Sequence, residues 1–151
     1  MSQPIILVTF SCQTGDIEKL ALGAAVGAVQ ARALIRLRRI HDVESDDNNE
    51  EVIRMRKEYV KPAEADVVGA DALIVAANAN TNVLSAPWQE FLSLLSRLSR
   101  EGKLNRKVGA SIGGISPALG DLGFVAFTQP PSDALALGRG VAEMARSLKT
   151  S

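Results

Sequence analysis

Pro4-Ile5-Ile6-Leu7-Val8-Thr9-Phe10 runs directly into Ser11-Cys12-Gln13-Thr14-Gly15-Asp16-Ile17-Glu18-Lys19-Leu20-Ala21. The first run is apolar and rich in β-branched residues, which predicts a strand covered on both faces. It stops at a cluster of small polar residues, and from Asp16 onward Ile17, Leu20, Ala21, Ala24, Ala25 and Ala28 recur at helical spacing. A tight turn between a strand and a helix aims several free backbone N–H groups and the positive end of the helix dipole at one point. Residues 11–17 therefore predict an anion site, in which Asp16 also reads as a helix N-cap.

The same unit recurs. Residues 31–40 interleave Leu34, Ile35, Leu37 and Ile40 with Arg32, Arg36, Arg38 and Arg39, which predicts a strand at a sheet edge with one side toward solvent. The arginines read first as charges that blunt that edge and second as a grip on a nucleotide phosphate. Residues 42–51 form an acidic connection, and residues 52–60 are too polar for a core element, so they read as a loop or a marginal helix. Residues 72–77 form a second fully buried strand, ending in the polar loop Asn78-Ala79-Asn80-Thr81-Asn82. Ser85 as N-cap, Pro87 in the first turn and the stripe Phe91, Leu94, Leu95 and Leu98 predict the helix that follows, and Gly102 ends it. Trp88 reads as core packing ahead of ligand stacking. Residues 108–112 predict a further strand running into Gly113 and Gly114, residues 123–128 another, and residues 132–148 a closing helix with Leu135, Val141, Ala142, Ala145 and Leu148 inward. Strands alternating with helices predict an α/β doubly wound, five-stranded parallel sheet in the order 2-1-3-4-5, with helices on both faces and a ligand crevice at the strands' carboxyl ends.

At 151 residues, the length predicts one domain over 1–151 with a substantial core. A formal net charge of zero offers no general attraction to nucleic acid or to an anionic membrane. The single Cys12 excludes an internal disulfide, and with a lone His41 it excludes a metal centre built from His and Cys. No leader-like start and no run of membrane-spanning length is legible, so a cytoplasmic setting is expected.

In order and spacing, these segments resemble a flavodoxin-fold protein of the WrbA type, the NAD(P)H:quinone oxidoreductases. Residues 11–17 stand where that family holds the FMN phosphate, and Ile17-Glu18-Lys19-Leu20-Ala21 resembles its helix start. Ala70-Asp71-Ala72-Leu73-Ile74-Val75 is similar to its third-strand approach. Leu84-Ser85-Ala86-Pro87-Trp88-Gln89-Glu90-Phe91-Leu92 is similar to the helix after its second FMN loop, and Lys107-Val108-Gly109-Ala110-Ser111-Ile112-Gly113-Gly114 to its fourth strand and third FMN loop. The resemblance implies that hydroxyls and N–H groups of Ser11, Cys12, Gln13, Thr14, Gly15, Asp16 and Ile17 hold the phosphate. Ala77, Asn78, Ala79, Asn80, Thr81 and Asn82, with Ser111, Ile112, Gly113 and Gly114, would border the isoalloxazine ring. It implies FMN as cofactor, NAD(P)H as electron donor and a quinone or similar small molecule as acceptor, and it admits a homo-oligomer. The flavin would carry the chemistry, so no catalytic side chain is assigned.

Three departures from the family keep a second reading open. Asp16 stands where a neutral residue or histidine is usual, the second loop carries no aromatic residue or arginine, and residues 113–122 are shorter than the family's fourth-helix region. They fit a flavodoxin-like module that has lost FMN and acts in binding or regulation. A one-electron carrier ranks last, because such carriers are strongly acidic and this chain is neutral.

Overall fold

A computed structural model describes residues 3–11, 15–40, 50–77, 86–112, 122–127 and 133–150. The elements are β1 (Ile5–Phe10), α1 (Gly15–Gln30), β2 (Leu34–Arg39), α2 (Glu50–Glu58), α3 (Glu64–Val68), β3 (Ala72–Ala76), α4 (Ala86–Arg100), β4 (Val108–Ile112), β5 (Val125–Ala126) and α5 (Ala134–Thr150). The strands form one parallel sheet in the order β2-β1-β3-β4-β5. This is the expected order, with the arginine-bearing strand at one edge.

Alternation along the strands divides the core in two. Ile6, Val8 and Phe10 of β1, with Ile74 and Ala76 of β3, pack against α1 and α5. Leu7, Leu73 and Val75 pack against Val67 of α3 and Trp88, Phe91, Leu95 and Leu98 of α4. Helices therefore cover both faces, as an all-parallel sheet requires. Trp88 belongs to the core, only 1% exposed, with its ring edge-on to Phe91 at 6.5 Å.

On the first face, α1 and α5 lie nearly backbone to backbone. A Cβ on Gly138 would fall 1.8 Å from the Ala24 carbonyl oxygen, and one on Gly27 would fall 2.0 Å from that of Leu135. The alanines of α1 are thus what permits the approach: Ala21, Ala24, Ala25 and Ala28 are all buried. Leu135 is 36% exposed, contrary to its expected inward position. At this crossing its backbone rests on Gly27, and Leu137 takes the buried place.

Residues 50–58 are helical, so the helix reading holds for that segment, and its Met55 is completely buried. Glu50 and Glu51, expected in the acidic connection, open α2; residues 42–49 lie outside the described residues. Ser85 also lies outside them, while Pro87 is the second residue of α4. Of the expected 123–128 strand, Val125–Ala126 pairs with β4, and Thr128 lies outside the described residues.

At the amino end of the sheet, Asp71 accepts the Ile5 N–H through Oδ2 at 2.8 Å and pairs with Lys149 of α5 at 3.1 Å. Among the described residues, no helix is long and apolar enough to cross a membrane.

Candidate functional site

Strand register sets the geometry of the carboxyl edge. Phe10 lies opposite Ala76, and Ala76 opposite Ile112, so β1, β3 and β4 end level. One residue further, the Ser11 N–H donates to the Ala76 carbonyl at 3.4 Å and the Ala77 N–H to that of Ile112 at 3.0 Å. The three strand ends therefore lie side by side. Ser11 and Ala77 are buried at this edge, and α1 begins at Gly15 above it.

Of the expected site residues, Ser11, Ala77, Ser111 and Ile112 thus meet at one edge, with Gly15, Asp16 and Ile17 in the first turn of α1. The Ile17 side chain is core, so only its backbone is available to a ligand. Ile112 likewise turns its side chain into the α1–α5 layer. Asp16 is the second residue of the helix, two places inside the cap position expected for it. Cys12, Gln13, Thr14, Asn78, Ala79, Asn80, Thr81, Asn82, Gly113 and Gly114 lie outside the described residues.

Beside this edge is a charge cluster that local sequence patterns did not reveal. Glu18, 6% exposed and on the buried side of α1, accepts two hydrogen bonds from the Arg54 guanidinium of α2, at 2.6 and 3.0 Å. The Tyr59 hydroxyl donates to the same carboxylate at 2.7 Å, and the Tyr59 ring stands edge-on to Phe10 at 4.9 Å. Arg39, completely buried, ends β2 opposite Phe10, and its charge also acts on Glu18. The hydrogen bonds from Arg54 hold the Glu18 carboxyl below its ordinary value, outweighing the effect of burial. Burial first, and then the bond to Glu18, push Tyr59 up to about 12. One signal was available: Glu18 falls three residues before Ala21 and seven before Ala25, on the apolar stripe, where a carboxylate requires partners.

The edge-strand arginines have partners as well. Asp66 of α3 takes both Nε and Nη2 of Arg38, at 3.1 and 3.3 Å, lies 3.6 Å from Arg36, and accepts the Ala63 N–H at 2.9 Å. Arg36 and Arg38 therefore fasten α3 to β2, while Arg39 is buried at the end of that strand. Among the described residues, no group of His, Cys, Asp and Glu could hold a metal ion.

A parallel sheet whose order reverses between β1 and β3, with helices on both faces, defines a doubly wound α/β protein, a fold in which ligands bind outside the carboxyl ends of the strands at the switch point. No family model matches the sequence. An NAD(P)H dehydrogenase (quinone) of Archaeoglobus fulgidus is 30% identical over 113 residues, which are 70% of this chain and 58% of that protein. The chain therefore spans little more than half the length of that relative. A flavodoxin from the domain Archaea superposes with a TM-score of 0.61 at 15% identity, over 94% of this chain and 99% of that one. A WrbA-like flavodoxin of Agrobacterium tumefaciens gives 0.52 at 16% identity, over 97% and 98%. The chain has the flavodoxin-like fold, and over 113 residues its sequence is similar to that of a quinone dehydrogenase.

Proposed function

We propose that this chain is an FMN-binding oxidoreductase, a single flavodoxin-like domain that takes electrons from NAD(P)H and passes them to a quinone or similar small acceptor. One observation carries the reading: β1, β3 and β4 end level, and all three segments assigned to the flavin leave the sheet there, at the head of a sixteen-residue helix. The likeness to a quinone dehydrogenase supports the choice of donor and acceptor.

The described residues fit a phosphate at that helix head. Glu18 would oppose a dianion one turn into α1, but Arg54 neutralises it through two hydrogen bonds, and Arg39 adds a buried cation. Ser11 and the backbone of Gly15, Asp16 and Ile17 would hold the phosphate. Ala77, Ser111 and Ile112 would flank the ring, with residues 12–14, 78–82 and 113–114 completing the cradle. Bound flavin supplies the hydride and electron chemistry. The chain's own task is to hold the phosphate, orient the ring and exclude water. The single cysteine fits a cytoplasmic setting.

A flavin absorption band in the purified protein, followed by titration of flavin-free protein with FMN and with riboflavin, tests the reading. Tight FMN binding and weak riboflavin binding are expected, because the phosphate carries the anchoring. Colourless protein that binds neither would favour the alternative, a module that has lost its cofactor. The position of Asp16 in the first turn of α1 motivates that alternative, since a carboxylate there serves the N–H groups a phosphate needs. If FMN binds, Asp16→Asn should tighten it by about tenfold through removal of one like charge. Unchanged affinity would mean that Asp16 points elsewhere.

A further inference from the structure

Where β3 and β4 begin, at the amino end of the sheet, lies a pocket of about 240 Å³. Asp71, the residue before β3, and Asn105, Arg106 and Lys107, leading into β4, form one side of it. Leu148 and Lys149, in the last turn of α5, form the other. A five-residue strand, about 16 Å, separates it from the carboxyl edge assigned to the flavin. Among the described residues that line it, three are cationic and one, Asp71, is acidic.

Each cation is fixed in place. The Arg106 guanidinium donates to the Leu148 carbonyl at 2.8 Å. The Lys107 ammonium donates to the carbonyls of Val68, at 3.0 Å, and of Ala70. Lys149 pairs with Asp71 at 3.1 Å, and the same carboxylate accepts the Ile5 N–H. Capping of the ends of α3 and α5 accounts for these contacts one by one. It does not account for their convergence on one concave space. The carbonyls orient Lys107 without cancelling its charge, and Asp71 is shared between Lys149 and a backbone donor. Asp71 and the partial charges of the two helix ends, about half a unit each, leave these lining residues net positive. Burial, against the opposing pull of Asp71, holds the Lys107 pKa below its ordinary value, so a bound anion would stabilise this ammonium.

We propose that this pocket is an anion site, separate from the flavin crevice, that binds one phosphate group, free or carried on a small ester. The inference goes beyond the reaction proposed above and does not depend on it. A guanidinium has five N–H donors and an ammonium three, so both can hold a backbone carbonyl and an oxyanion together. Asn105 can add an amide N–H, and Leu148 offers an apolar side for a short carbon stem. The volume lies below the range of pockets for larger ligands, so a phosphate with a few carbon atoms fits and a nucleotide does not.

Inorganic phosphate and glycerol phosphate, titrated separately into the isotope-labelled full chain and followed by amide chemical shifts, test the site by location. Saturable shifts are expected at Asp71, Lys107, Val108 and Lys149, with a dissociation constant of about 1 mM, in the presence and absence of FMN. Arg106→Gly removes the guanidinium at φ 68°, a conformation that glycine adopts freely, so it should weaken binding about tenfold without lowering the urea midpoint. Lys149→Met, at an exposed position, should weaken it about threefold. Shifts confined to residues 15–17 would overturn the proposal by placing the phosphate at the flavin edge. So would shifts that chloride reproduces at equal ionic strength, or an affinity that neither variant moves. Tighter binding of the ester would assign the site to a phosphorylated metabolite, and equal or weaker binding to free phosphate. FMN binding is read separately from the flavin band: a colourless protein that gives these shifts keeps the site, and a flavoprotein without them loses it.

Discussion

Arg32 and Gly102 occupy equivalent places at the ends of two helices. After α1, the Arg32 N–H donates to the Val29 carbonyl and the Ala33 N–H to that of Ala28, with Arg32 at φ 65°. After α4, Gly102 and Lys103 donate to Ser99 and Leu98, with Gly102 at φ 74°. Both are left-handed caps that satisfy the last carbonyls of their helices. A side chain in this region costs about 1–2 kcal/mol, and glycine removes most of that cost. Arg32→Gly should therefore stabilise the protein by up to about 1 kcal/mol, and Gly102→Ala should destabilise it by about 1 kcal/mol. Urea midpoints at unchanged slope would measure both; a midpoint lowered by Arg32→Gly would show that the arginine side chain does more than occupy the cap. Gly102 was legible as a helix end because glycine announces one. Arg32 was not, since arginine is a good helix former and the turn is imposed by Leu34 having to enter β2 beside Pro4.

Two contacts between elements carry the next scale. The α1–α5 crossing depends on backbone approach at Gly27 and Gly138, where the obstructing atoms are carbonyl oxygens that cannot rotate away. Gly138→Ala should cost about 3 kcal/mol, the upper part of the range for overpacking, and a thermal melt close to wild type would mean that the helices separate easily. The second contact is the bond between α2 and α1. Met55 buries one side chain of α2, and Arg54 and Tyr59 converge on Glu18. Glu18→Gln keeps the shape and removes the charge, so amide hydrogens of α2 should exchange faster while those of β3 keep their protection. Equal exchange in variant and wild type would assign the seating of α2 to Met55 alone. Helix α1 was recognised from its period, but the clamp was not. Its members lie at positions 18, 39, 54 and 59, and nothing local relates them.

For the whole molecule the same cluster sets a pH dependence. Because the folded protein holds the Glu18 pKa below the ordinary value of about 4.5, its stabilising contribution is complete above that value and is lost as pH falls through the depressed one. The stability difference between wild type and Glu18→Gln should therefore be full near neutrality and shrink in acid, as chemical denaturation from pH 7 down to 3 would show. A constant difference would mean that the carboxylate pairs equally well in the unfolded chain. At the other limb, Tyr59 is raised to about 12, so its contribution is complete below the ordinary tyrosine value and lost as pH rises through 12.

What the sequence determined by itself was the alternation of buried strands with amphipathic helices, and from it the strand order and the edge position of β2. These follow from periodicity and from the handedness of crossovers, both of which are properties of short stretches of chain. It also placed Ser11 and Ala77 at one end of the sheet, because a residue that follows a strand must leave the sheet at that strand's carboxyl end. Only the tertiary structure decided where charge resides. Arg39 reads as one of four similar arginines, yet it is completely buried, while Arg36 and Arg38 hold Asp66. The pocket beside Lys107 likewise joins residues from positions 71 to 149. Side chains far apart in sequence become partners only when the sheet and its helices bring them within a few ångströms, and the energy of a buried charge depends on those partners alone.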